Sequence, residues 1–304
     1  MTHNSTHAAR LVPPIGAFQD IDGRRLFIHR AGSGGPAVVF LPGASAVGLD
    51  YFGVQQEISR FTTAVIYDRG GTGYSDRLPL PRTAAAVAVE LRDLLRAQHI
   101  AGPYVLAAHS LGGFYAHRFA QLYPREVAGL VWLDALHHDW DAYMPASASL
   151  AAAEHAGPGL AELEQMRPML RDIHSELLAA YPEHLRQPLV RAKLTTEWLR
   201  AGLAERSGLA ELAAELRGGP GLPDVPTIAL SVVGTDPAER DRIPASTVQQ
   251  LHDGRRRMDA ARAAAAPQGE QRIVDDTVHH RLCFDRPDAV VRAVADVIDR
   301  ATRP

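Results

Sequence analysis

Short apolar runs alternate with amphipathic stretches along this chain. Ala37–Leu41, Thr63–Tyr67, Tyr104–His109, Val127–Leu133 and Thr227–Val233 are largely continuous apolar runs, the pattern of strands buried on both faces. Arg82–His99 places Val87, Leu91, Leu94 and Leu95 on one helical face. Tyr51–Ser59, Leu111–Tyr123, Thr247–Ala265 and Asp288–Ala301 also read as helices, with Pro124 stopping the second and Pro287 at the entrance of the last. Near the start, Ala17–Ile21 and Arg24–His29 flank Asp22-Gly23, a hairpin signal. Arg272–Val274 reads as a short final strand. Strands alternating with helices predict an α/β fold with a mostly parallel sheet, right-handed crossovers and helices on both faces.

The pattern changes between residues 137 and 223. Ala, Leu, Glu and Arg recur there at helical spacing, as in Leu160–Glu164 and Glu211–Leu216. This predicts a helical insertion that divides the core into residues 1–136 and 224–304.

Tyr104–His109 runs into Ser110-Leu111-Gly112-Gly113, so an apolar strand stops at a serine and a helix follows. That is the layout of a nucleophile elbow, where a sharp turn holds a serine hydroxyl clear of the sheet. Residues two before and two after the serine must be small, which accounts for Ala108 and Gly112. Ala44, Ser110, Asp134, Asp236 and His280 each follow a predicted strand. Active groups gather at that end of a parallel sheet.

Composition narrows the function. The chain has 304 residues, a net charge of −3, and basic residues interleaved with acidic ones, which leaves no footprint for nucleic acid. Arg255-Arg256-Arg257 reads as a solvated helix face. The one cysteine, Cys283, cannot form an intrachain disulfide and reads as a small packed apolar residue. Pro13 and Pro14 interrupt any apolar leader, and no run approaches a membrane span. These features predict a soluble, cytoplasmic protein that acts on no membrane. The glycine-rich turn Asp68–Asp76 lacks the glycine spacing and terminal Lys-Ser/Thr of a phosphate loop. The histidines show no arrangement that reads as a metal site.

Several motifs together resemble the α/β-hydrolase superfamily: Leu41-Pro42-Gly43-Ala44, Tyr67–Ser75, Ala108–Gly113, Val127–Asp134, and His280 with Pro287 seven residues on. The resemblance implies an eight-stranded sheet, a helical cap at 137–223, no cofactor, and a triad of serine, acid and histidine. Ser110 is then the nucleophile, and the spacing to Pro287 favours His280 over His279 as its base. The acid is Asp134 or Asp236. The strand before Asp134 ends cleanly on the acid, while Asp236 is crowded by Pro237 and further charges. The backbone N–H groups of Ala44 and Leu111 would form the oxyanion hole. Pro42-Gly43 stands where many members carry His-Gly.

In the cap, Trp140, Tyr143, Met144, Met166, Met169 and Trp198 are the large candidates for a substrate wall. With no charge cluster in the insertion, they suggest an uncharged, hydrophobic small molecule. The expected reaction is hydrolysis of a carboxylic ester or lactone through an acyl-enzyme. An acid after the sixth strand is similar to the zearalenone-type lactone hydrolases. A ligand-binding protein, a cyclase or lyase, or a thioesterase on the same fold are the rival readings. Oligomeric state is open, a homo-oligomer included.

Overall fold

The structure, a computed structural model, describes residues 11–235 and 243–303. Its strands are β1 (Ala17–Ile21), β2 (Arg24–Ala31), β3 (Val38–Leu41), β4 (Ala64–Tyr67), β5 (Tyr104–His109), β6 (Val127–Leu133), β7 (Thr227–Val232) and β8 (Gly269–Val274). They form one eight-stranded sheet in the order β1-β2-β4-β3-β5-β6-β7-β8. β2 runs antiparallel to β1 and to β4. Every pairing from β4 across to β8 is parallel.

The apolar runs are continuous because both faces of the sheet are covered. Alternate residues of one strand enter different cores. Val38 and Phe40 lie in one core, packed with α1 (Phe52–Ile58). Val39 and Leu41 lie in the other, with α2 (Ala84–Ala97) and α3 (Gly112–Leu122). β5 divides the same way, with Val105 and Ala107 on the first side and Leu106 and Ala108 on the second. Full burial of each large apolar side chain contributes about 1.5–3 kcal/mol. α2 starts where the Thr83 hydroxyl accepts the Ala86 N–H at 3.2 Å, and it buries Val87, Leu91, Leu94 and Leu95.

Every regular element between β6 and β7 is helical, as the composition of 137–223 predicts. These helices are α4 (Trp140–Tyr143), α5 (Leu150–Glu154), α6 (Leu160–Gln165), α7 (Arg167–Leu177), α8 (Glu183–Lys193), α9 (Thr196–Ala204) and α10 (Leu209–Arg217), with short 3₁₀ turns among them. After β7 come α11 (Ala245–Ala264), α12 (Leu282–Asp285) and α13 (Pro287–Thr302). Val290, Val294 and Val297 seat α13 on the same side of the sheet as α1. β8 begins three residues before the expected Arg272 because it is a polar edge strand. Arg272 Nε donates to Glu270 Oε1 at 2.7 Å, along its exposed side. Among the described residues, no helix is long and apolar enough to cross a membrane.

Candidate active site

Ser110 has φ of 51°, in the left-handed region that a side chain rarely occupies. Two N–H groups hold the turn by donating to the Ser110 carbonyl, from Gly113 and Leu136, each at 2.9 Å. The close approach of β3 explains the small residue after the serine. A Cβ on Gly112 would stand 2.1 Å from the Leu41 carbonyl oxygen.

Asp134 also has a left-handed backbone, with φ of 47°. Its Oδ2 faces His279 Nδ1 at 2.6 Å, and its Oδ1 accepts the Val232 N–H at 3.2 Å. The hydrogen bond therefore falls to His279 and not to His280, one residue before the position expected from the Pro287 spacing. Val278 is extended and His279 opens a 3₁₀ turn, so neighbouring side chains diverge and only the first reaches the carboxylate. His280 lines the cavity beside it. Burial opposes a charge on Asp134. The Arg255 guanidinium, the His279 bond and the Val232 N–H outweigh it and hold the carboxyl well below the usual carboxylate range. An ionised carboxylate only accepts, so His279 Nδ1 carries the proton in this bond. In neutral His279, Nε2 is then the basic nitrogen. Asp236 lies outside the described residues.

The loop after β3 is held from two sides. The buried Arg69 guanidinium donates to the carbonyls of Pro42 at 2.6 Å and Gly43 at 3.0 Å. It also forms a buried ion pair with Glu205, just beyond α9. Glu205 Oε2 in turn accepts the Ser45 N–H at 2.9 Å. α9 packs close to this loop, since a Cβ on Gly202 would stand 2.5 Å from Ser45 Oγ. From below, the Gly43 N–H donates to the Tyr51 hydroxyl at 3.2 Å, and that hydroxyl meets His109 Nδ1 at 2.9 Å. Arg69, Glu205, Tyr51 and His109 were not among the sequence-derived site residues. The turn Asp68–Asp76 held the one available clue, an arginine in a loop with no phosphate to bind.

Ser110, His279, Ala44 and Leu111 line one cavity of about 450 Å³. Leu111 stands at the start of α3, where backbone N–H groups face outward. The apolar wall comes from Leu136, Ile173, Leu177, Leu178, Leu209 and Phe284. Cys283 joins that wall as a buried thiol, pushed up to about 12 by burial. Asp50, His174, Lys193 and Arg206 also reach the cavity, so its wall carries charge that the sequence pattern did not reveal. A second chamber of about 150 Å³ adjoins it, sharing Ser45, His174, Lys193 and Arg206.

The large cap side chains do not form the wall that was expected of them. None of Trp140, Tyr143, Met144, Met166, Met169 and Trp198 lines the cavity with Ser110. The Trp140 indole N–H donates to the Ala148 carbonyl at 2.8 Å. Met144 is buried beside Gly254 of α11. Tyr143 meets His137 edge-on, Met166 caps α7, and Met169 is exposed. Trp198 packs edge-on against Tyr74 and lines only the smaller chamber. Size identified bulky residues, but the face of each helix decides which side chains meet the cavity.

The fold also brings together His137, His138 and Asp139, with donor atoms within 4.8 Å of one another. Sequence spacing did not suggest this cluster as a metal site, and two arginines, Arg217 and Arg262, lie beside it. Asp139 Oδ1 already accepts from Arg217 at 3.2 Å. Burial and the nearby Arg262 push His137 down to about 2.

Residues 36–165 match the family model described as the alpha/beta hydrolase fold. In sequence, the chain is 30% identical over 128 residues to the uncharacterized protein YbdG of Bacillus subtilis. That match covers 41% of this chain and 39% of YbdG, well under two thirds of the relative's length. In structure, it is similar to a thermophilic esterase from Thermogutta terrifontis, with a TM-score of 0.60 and 20% identity over 95% of this chain and 98% of that one. The epoxide hydrolase CorEH is similar at a TM-score of 0.68 and 19% identity, over 94% and 98%. The antiparallel β2 beside a parallel sheet, the elbow after β5 and the helical insertion after β6 agree with these matches: the chain has the α/β-hydrolase fold.

Proposed function

We propose that this protein is a serine hydrolase that cleaves a carboxylic ester or lactone of an apolar small molecule through an acyl-enzyme. The observation that carries the reading is the 2.6 Å bond between Asp134 and His279 at a cavity that Ser110 also lines. A serine hydroxyl is a weak nucleophile until a base takes its proton. His279 Nε2 takes the Ser110 proton as Oγ attacks the carbonyl carbon, and Asp134 stabilises the resulting imidazolium. The backbone N–H groups of Ala44 and Leu111 receive the oxyanion, each contributing on the order of 3 kcal/mol. His279 returns the proton to the departing alcohol. It then draws a proton from water as the water oxygen attacks the acyl carbon, and passes that proton to Ser110 Oγ as the Oγ–acyl bond breaks and the acid departs. A serine at the elbow favours this reaction over epoxide opening, where the fold uses a carboxylate nucleophile.

The test combines labelling with turnover. The wild-type protein should hydrolyse p-nitrophenyl esters and carry a fluorophosphonate on Ser110. Ser110→Ala should lose the label and about 10⁴-fold or more in kcat. A correctly folded wild type with neither turnover nor label would instead point to a ligand-binding protein on the same fold.

A further inference from the structure

We propose that Arg206 is a specificity residue and that the preferred substrate is an ester bearing a second, free carboxylate. This inference rests on the hydrolase reading of the cavity and adds the polar half of the substrate.

The charges on the cavity wall are not equally available. Lys193 Nζ donates to Asp50 Oδ2 at 2.8 Å, and the same oxygen accepts the Val47 N–H at 2.9 Å. That pair is buried and compensates itself. Burial, with the Lys193 charge, pushes His174 down to about 4, so its imidazole is neutral near pH 7. Arg206 is different. Among the described residues, no acid pairs with its guanidinium. The adjacent acid, Glu205, is committed to Arg69 and to the Ser45 N–H. Arg206 is thus the uncompensated cation of this wall.

Its position suits recognition. Arg206 lines both chambers and stands at their junction. The neighbouring Glu205 is bonded to the oxyanion loop, which fixes the arginine's backbone relative to Ala44 and Ser45. A planar guanidinium accepts a carboxylate through two parallel hydrogen bonds. Arg206 is solvent-exposed where it meets the cavity, so a carboxylate can pair with it there while keeping part of its hydration. A substrate with an apolar body and one anionic end matches a wall that carries both Leu136, Ile173, Leu177 and Leu209 and the cation of Arg206.

The test compares p-nitrophenyl hexanoate with mono-p-nitrophenyl adipate, and p-nitrophenyl octanoate with mono-p-nitrophenyl suberate. In parallel, calorimetry measures free adipate and suberate binding to the wild type. The wild type should favour at least one carboxylate ester by about 10- to 100-fold in kcat/KM, mainly through KM. Arg206→Gln should abolish that ratio and the binding of the free dicarboxylate, and Arg206→Lys should restore part of both. Thermal unfolding checks that each variant is folded. Turnover without carboxylate preference in the wild type, or a preference unchanged in Arg206→Gln, overturns the proposal and leaves the hydrolase reading standing. If no ester is turned over, the hydrolase reading fails. Calorimetry then decides separately: dicarboxylate binding lost in Arg206→Gln upholds the anion site, and no binding overturns it.

Discussion

His109 Nε2 lies 3.1 Å from the backbone carbonyl oxygen of His279. A carbonyl only accepts, so Nε2 carries the proton. Burial, with the neighbouring His279, pushes His109 down to about 3, so the ring is neutral near pH 7 and Nδ1 accepts. The Tyr51 hydroxyl therefore donates to Nδ1 and accepts from the Gly43 N–H. One directed chain of hydrogen bonds thus joins the loop that carries Ala44 to the backbone of the histidine paired with Asp134.

Breaking that chain is expected to slow the reaction through positioning. Tyr51→Phe and His109→Gln should each lower kcat on p-nitrophenyl butyrate by about tenfold, with a smaller change in KM. The double variant should be no slower than the slower single one, because both interrupt one path. Steady-state kinetics of all three decide it. Multiplicative losses would mean that Tyr51 and His109 act independently.

Two adjacent histidines give a sharp comparison. His279→Gln and Asp134→Asn are each expected to lose about 10⁴-fold in kcat, as removal of the base or its orienting acid does elsewhere. His280→Gln should lose far less. Single-turnover measurements at saturating ester, with the variants checked for fold by circular dichroism, separate these outcomes. A collapse confined to His280→Gln would return the base to the position expected from sequence.

The Arg69–Glu205 pair makes a stability prediction. Glu205→Leu leaves the buried guanidinium without its acid, and removing one partner of a buried pair costs about 3–5 kcal/mol. Urea unfolding should show that loss, and ester turnover should fall with it, because Ser45 also loses its acceptor. Unchanged stability in Glu205→Leu would show that solvent replaces the pair.

Protonation of the buried histidines should destabilise the protein as pH falls, against an opposing gain from Asp68 and Asp259, which burial pushes up to about 7 and about 6. Burial pushes His109 and His117 down to about 3 and His137 to about 2, against an ordinary value of 6.5. Below 6.5 the unfolded chain binds protons that the folded chain refuses. The contribution of these histidines is therefore complete above that pH and is lost as pH falls toward about 3. Each group removes on the order of 2 kcal/mol by about pH 5. Between about pH 7.5 and 5, the melting temperature of His117→Leu should fall less than that of the wild type. An identical slope in that variant would exclude His117 as a contributor.

The fold could be read from sequence where burial was two-sided. β3 to β7 announced themselves as apolar runs, and the elbow showed through Ala108, Ser110 and Gly112, because sterics at a tight turn restrict residue type. β8 was blurred because an edge strand satisfies its exposed face with ion pairs. The site was less legible. Which of His279 and His280 meets Asp134 depends on the rotation of one 3₁₀ turn, and local spacing does not encode that. Lys193 and Asp50 are 143 positions apart, and Arg69 and Glu205 are 136 apart. Each looks like an ordinary surface charge until the fold buries it against its partner.

The attachment of Glu205 to the Ser45 N–H and to Arg69 ties this end of the cap to the loop that carries Ala44. If the C-terminal end of α9 swung away to admit a molecule, it would pull on the segment that supplies the Ala44 donor. On the proposed reaction, a ligand enters past helices without that tether, or else the oxyanion loop is displaced while that side is open and restored only when Glu205 reseats. In the second case, the closing of the cap would itself be the step that commits the carbonyl to attack.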